Sequence, residues 1–186
     1  GAGHFVKMVH NGIEYGIMQL TAEIYDILKN LGQLTNEELG AAFTDYNKDL
    51  NSFLLEITAD IFNYPEAIID KIKDTAKQKG TGKWTTIAAL DYGVPTPTIN
   101  AAVDARITSG DHDLRHRRFG APEVLNSDVA IPEKETLKKM AASALEIASI
   151  CAYSQGFELL IAASKEYDWN LNLSEIARIW RGGCII

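Results

Sequence analysis

At 186 residues, 46% hydrophobic and 23% charged, the chain has the length and composition of one globular domain with a substantial core. A net charge of −7 argues against a general nucleic-acid binder and against an anionic membrane surface as partner, although a local excess of cations can still receive a small anion. Two cysteines, Cys151 and Cys184, are too few for a disulfide framework and stand at no metal-ligand spacing, so no metal is expected and a reducing cytoplasm is the fitting compartment.

Apolar residues recur at helical spacing along almost the whole chain, and no alternating run demands a strand. The fold class expected is all-α, one multi-helix domain over residues 1–186 with long central helices. Residue 1 is Gly and no charged-then-apolar leader follows, so no signal peptide is expected. The first helix is predicted from about Gly3 to Lys29, stopping near Gly32, with Phe5, Val6, Val9, Ile13, Ile17, Leu20, Ile24 and Leu28 available to a core. Thr35 and Glu38 form a capping box for a helix through about Tyr46. Phe53, Leu54, Ile57 and Ile61 give Leu50 to Phe62 a helical period, and Pro65 opens a short helix through about Thr75.

Gly80-Thr81-Gly82 marks a loop, after which Thr85 or Thr86 begins a helix ending near Gly93. Pro95 and Pro97 restart the path into a helix through about Thr108. Ser109 to Asp128 is the least regular part, and its Arg115-His116-Arg117-Arg118 run reads as a solvated turn rather than a nucleic-acid patch. Pro132 starts the longest helix, through about Tyr167, and Ser174 to Trp180 closes the chain. Ala141 to Ala163 is apolar enough to be tested as a membrane span, but it carries Glu146 and Glu158. Charges at a bilayer centre cost about 2.5–3.5 kcal/mol each, so a central bundle helix is expected instead. Cys151 lies in this run and is expected to be a small buried hydrophobe.

Lys7, Asn11 and Glu14 stand at i, i+4 and i+7 in the first helix, with Met18 one turn on, so the four share one stripe. By spacing alone a solvated face is the plain reading of such a stripe. The wording Gly3-His4-Phe5-Val6-Lys7-Met8-Val9-His10-Asn11-Gly12-Ile13-Glu14-Tyr15 adds more, because it resembles the catalytic-helix signature of 6-phosphogluconate dehydrogenase. Gln78-Lys79-Gly80-Thr81-Gly82-Lys83-Trp84-Thr85, Asp91-Tyr92-Gly93-Val94-Pro95 and Trp180-Arg181-Gly182-Gly183-Cys184-Ile185-Ile186 continue the resemblance in order.

The resemblance implies oxidative decarboxylation of 6-phosphogluconate to ribulose 5-phosphate with reduction of NADP, by a homodimeric enzyme. It implies Lys7 as the base that takes the C3 hydroxyl proton, which needs a neutral lysine, and Glu14 as the acid that protonates the enediol. His10 and Asn11 resemble the family's substrate-contacting pair, and the alternative for His10 is a histidine satisfied in the core. Tyr15, Lys79, Thr81 and Arg106 resemble its phosphate and substrate binders, with Lys83 the alternative to Lys79 one turn away. The Pro65–Lys79 segment is shorter than the family's usual version.

The dinucleotide turn G-x-G-x-x-G is missing, and Gly80-Thr81-Gly82 also fails as a phosphate loop because Trp84 follows Gly82-Lys83. The resemblance therefore implies a helical second domain that lacks the NADP-binding domain and the C-terminal tail, with little turnover by itself. Two other readings stay open: a β-hydroxyacid dehydrogenase with another substrate, and a non-catalytic helical dimerisation module.

Overall fold

Two long helices, α1 (Ala2–Asp26) and α7 (Lys134–Glu166), run antiparallel against each other and form the centre of the fold. The structure, a computed structural model, describes residues 1–66, 68–116 and 130–186, and of His116 the backbone alone. Between these helices come α2 (Asn36–Leu50), α3 (Phe53–Asn63), α4 (Thr81–Asp91), α5 (Pro97–Gly110) and α6 (His112–His116), and α8 (Leu173–Trp180) follows α7. Among the described residues there is no strand, as the uniform helical spacing predicts.

The core has two main parts because α1 buries residues along its whole length. Its C-terminal half meets α2, α3 and the start of α7 through Ile24, Leu28, Phe43, Leu55, Phe62 and Leu145. Its N-terminal half meets α5, α7 and α8 through Val9, Ile13, Ile17, Ile99, Leu159 and Trp180. The second set lies directly behind the residues of the Lys7 stripe. Any chemistry on that face of α1 therefore has a rigid backing.

Several local expectations hold. The Thr35–Glu38 capping box is complete, with both reciprocal bonds formed. α1 relaxes into a π-helical turn at Ile27–Leu31 and ends at Gly32. α7 is long and apolar enough to cross a membrane, yet it packs along α1 and buries Leu137, Ala141, Leu145, Ala152, Leu159, Leu160 and Ala163.

Three expectations need correction. The short helix after Pro65 is only a 3-10 turn at Ile68–Lys71, none of whose residues is buried, so no tertiary contact extends it. Helix α4 begins at Thr81, ahead of the expected Thr85 or Thr86, because Gly82 is drawn into its first turn against α1. Cys151 is exposed on the outer face of α7 rather than buried. The basic run is answered in part: Arg115 pairs with Asp74 at 2.8 Å, while Arg117 and Arg118 lie outside the described residues.

Candidate active site

Helices α1 and α4 are keyed together at two points. A Cβ on Gly12 would come within 2.6 Å of the Thr85 side chain, and one on Gly82 within 2.7 Å of the Tyr15 ring. Each helix thus offers a glycine to the other's side chain, and the axes approach more closely than larger residues permit. The Thr85 hydroxyl lies 2.9 Å from both the Met8 and the Thr81 carbonyl oxygens. This packing sets the first turn of α4 beside the Lys7–Glu14 segment of α1.

On that segment Lys7, His10, Asn11 and Glu14 form one polar cluster. His10 Nδ1 lies 3.0 Å from Lys7 Nζ, 3.1 Å from Asn11 Oδ1 and 3.9 Å from Glu14 Oε2. The ring is 1% exposed, its Nε2 has no hydrogen-bond partner, and the Trp180 ring stands edge-on 5.2 Å away. His10 is therefore both core residue and cluster member: the apolar backing holds one edge while Nδ1 reaches the stripe.

Nδ1 can carry a proton or a lone pair, not both. As N–H it donates to Asn11 Oδ1 and faces the Lys7 nitrogen, and as a lone pair it accepts from the Lys7 ammonium. Burial pushes the imidazole below its ordinary 6.5 and the Lys7 charge adds to that, opposed by the Asn11 hydrogen bond. Burial lifts the Glu14 carboxyl above its ordinary 4.5, against the opposing pull of Lys7 and Arg106.

One turn along α1, Tyr15 joins the next group. The Arg106 guanidinium carbon sits 3.8 Å from the centre of the Tyr15 ring, a cation–π contact. The Lys79 backbone N–H donates to the Tyr15 hydroxyl oxygen at 3.1 Å. Arg106 also donates to the Lys77 carbonyl oxygen at 3.2 Å and approaches Met18 Sδ at 3.1 Å. Arg106 on α5, the Lys79 turn and α1 thus meet around one phenol. Lys79 and Lys83 are both exposed, and the contact Lys79 makes here is through its backbone.

A cleft of about 780 Å³ opens at the N-terminal end of the stripe, lined in part by Lys7, Asn11 and Thr81. Its other wall is aromatic, from Phe5, Trp84, Tyr92, Tyr167 and Trp169. Phe5 packs against Tyr92 and Trp169, and Tyr167 stacks on Trp169 at 4.9 Å. His10, Glu14, Tyr15, Lys79 and Arg106 do not line this cleft. The expected site residues thus form a row along α1: cleft, polar cluster, then cation group. The aromatic wall went unforeseen because α1, α4 and the segments after α4 and α7 each supply part of it, at no regular spacing.

Among the described residues no three His, Cys, Asp or Glu side chains gather as metal ligands. Nor does a strand precede Gly80-Thr81-Gly82, so these residues do not fit the turn that holds a dinucleotide pyrophosphate. Gly80, at φ +110°, instead caps α4, with its N–H bonded to the Gln78 side chain.

Comparison with known proteins gives a consistent result. The family model described as 6-phosphogluconate dehydrogenase, C-terminal domain, matches residues 3–186. 6-Phosphogluconate dehydrogenase, decarboxylating 2, of Arabidopsis thaliana is 48% identical over 199 residues, covering 100% of this chain and 40% of its own length. The decarboxylating 6-phosphogluconate dehydrogenase of Caenorhabditis elegans is 49% identical over 194 residues, with 100% and 40% covered. The solved Plasmodium falciparum 6-phosphogluconate dehydrogenase, described in its apo form and in complexes with NADP+ and with 6-phosphogluconate, superposes with a TM-score of 0.86 at 44% identity. That match covers 99% of this chain and 41% of the Plasmodium chain. The chain spans about 40% of the length of the curated relatives it matches.

Proposed function

The chain belongs to the 6-phosphogluconate dehydrogenase family, matching its C-terminal domain, and we propose that it supplies substrate-binding and catalytic residues for NADP-linked oxidative decarboxylation of 6-phosphogluconate. One observation carries this reading. Lys7, Asn11 and Glu14 form a single row on α1 that continues into the Tyr15–Arg106–Lys79 group. A sugar acid with a phosphate at its far end matches such a row, with polar groups at one end and cations at the other.

In this reading Arg106, Lys79 and Tyr15 hold the phosphate, Thr81 meets the substrate from the cleft it lines with Lys7 and Asn11, and His10 and Asn11 hold the carboxylate end. Lys7 takes the proton of the C3 hydroxyl as hydride leaves the same carbon, then returns it to the C3 ketone oxygen as the C1 carboxylate departs as CO₂. Glu14, held toward its protonated form by burial, gives a proton to C2 of the enediol while Lys7 takes back the proton of the C3 hydroxyl, so that the C3 ketone re-forms and ribulose 5-phosphate results. NADP is the hydride acceptor of this chemistry. The described residues do not fit its dinucleotide, so the roles assigned to them are binding and proton transfer.

Two further proposals complete the reading. The enzyme is a homodimer, supported by an exposed apolar stripe on α7 formed by Met140, Ile147, Ile150 and Ile161. It works in the cytoplasm, a compartment suited to its two free cysteines.

Calorimetry of this chain with 6-phosphogluconate and with gluconate tests the substrate assignment. The phosphorylated acid binds more tightly, and Arg106→Ala weakens it by about 10- to 100-fold while leaving gluconate unchanged. Equal binding of the two acids would replace the phosphate assignment with a related unphosphorylated hydroxyacid.

A further inference from the structure

We infer that Thr85 is a positioning residue that sets the distance between the two ends of the substrate site, an inference that rests on the reading above. The carboxylate end is carried by α1, through Lys7 and Asn11. Part of the phosphate end is carried by the turn into α4, through Lys79, whose backbone N–H meets the Tyr15 hydroxyl. Something must fix the sliding of one helix along the other, or the two ends will not match a ligand of fixed length.

Thr85 is 0% exposed and sits at the crossing. Its hydroxyl lies 2.9 Å from the carbonyl oxygen of Met8, the residue after Lys7, and 2.9 Å from that of Thr81. One hydroxyl proton serves one carbonyl at a time, so the hydroxyl donates to either helix. Its methyl fills the space left by Gly12, which fixes how closely the helices approach. Shape alone resists approach but resists sliding weakly. The hydroxyl adds a directional bond that ties a carbonyl next to the base to the first turn of the anion-binding helix. Thr85 reaches no substrate, since its side chain is wholly enclosed between α1 and α4. It acts through Lys7 on α1 and the Lys79 turn that leads into α4.

A spacing role makes a prediction that a merely structural role does not. A ligand that engages both ends senses the spacing, and a ligand that engages one end does not. The chain and its Thr85→Val and Thr85→Ser variants are titrated with 6-phosphogluconate and with inorganic phosphate, with helicity followed by circular dichroism. Thr85→Val keeps the shape and loses the hydroxyl; it weakens 6-phosphogluconate by about 5- to 10-fold, the worth of one hydrogen bond. Its affinity for inorganic phosphate stays within about twofold. Thr85→Ser, which restores the hydroxyl, binds both ligands nearly as the parent does. If the valine variant fails to fold, Thr85→Ala is compared with Thr85→Ser, since both lack the methyl and differ only by the hydroxyl.

Equal losses for both ligands, or no loss for 6-phosphogluconate, would overturn the spacing role and leave the substrate reading in place. A parent chain that binds 6-phosphogluconate no better than phosphate would overturn the two-ended site itself.

Discussion

Glu14 and His10 show how one helix face tunes two groups in opposite directions. Glu14 is 16% exposed and its carboxyl is raised above 4.5 by burial, so the folded state holds its proton more tightly than the unfolded chain. The stability this gives is complete below the unfolded value and is lost as pH rises through the folded one. Replacing Glu14 by Gln removes the titration, so the melting temperature of the variant should gain on the parent as pH rises from the ordinary 4.5 through the folded-state value. A gap that stays constant or narrows as pH rises above 4.5 contradicts the burial account. His10 works the other way: its folded pKa lies below 6.5, so its contribution is complete above 6.5 and is lost as pH falls through the folded value. The spacing of Lys7, Asn11 and Glu14 was readable because 3.6 residues per turn places them without any tertiary knowledge. That of His10 was not, because its ring turns both toward Trp180 and toward the cluster, and Trp180 is 170 positions away.

Helix boundaries were legible where the signal is local. The Thr35 cap needs only Glu38 three residues on, and both bonds form. Thr35→Ala should cost about 1 kcal/mol in chemical denaturation. The start of α4 was not legible, because glycine at a first turn reads as a loop until Tyr15 supplies the packing that compensates its intrinsic cost. Gly12→Ala tests the same contact from the other side. The new Cβ meets Thr85 at 2.6 Å, and overpacking should destabilise the chain by about 1–3 kcal/mol in urea denaturation. Thr85→Ala in that background should recover part of the loss, since neighbouring substitutions do not add. Strict additivity would mean that the two residues do not press on each other.

The all-α architecture followed from the periodicity, but the outer surface did not. Helix α7 mixes apolar and polar residues round its whole circumference, so its sequence does not say which side faces α1. Cys151 accordingly falls outside, near Ile147 and Ile150, which are 64% and 59% exposed. If this stripe joins two copies, Ile150→Glu should shift the chain from dimer to monomer in sedimentation velocity, with helicity retained. A parent chain that sediments as a monomer contradicts the dimer proposal. The aromatic wall of the Lys7 cleft is a whole-molecule property in the same sense, because the chain folds back on itself to bring Trp169 to Phe5.

The central claim is that one row along α1 receives the two ends of a phosphorylated sugar acid, and a structure of this chain crystallised with 6-phosphogluconate tests it most directly. The account predicts the phosphate within hydrogen-bond reach of Arg106, Lys79 and Tyr15, and the C3 hydroxyl within about 3 Å of Lys7 Nζ. A ligand lying in the reverse direction, or bound away from α1, would contradict it.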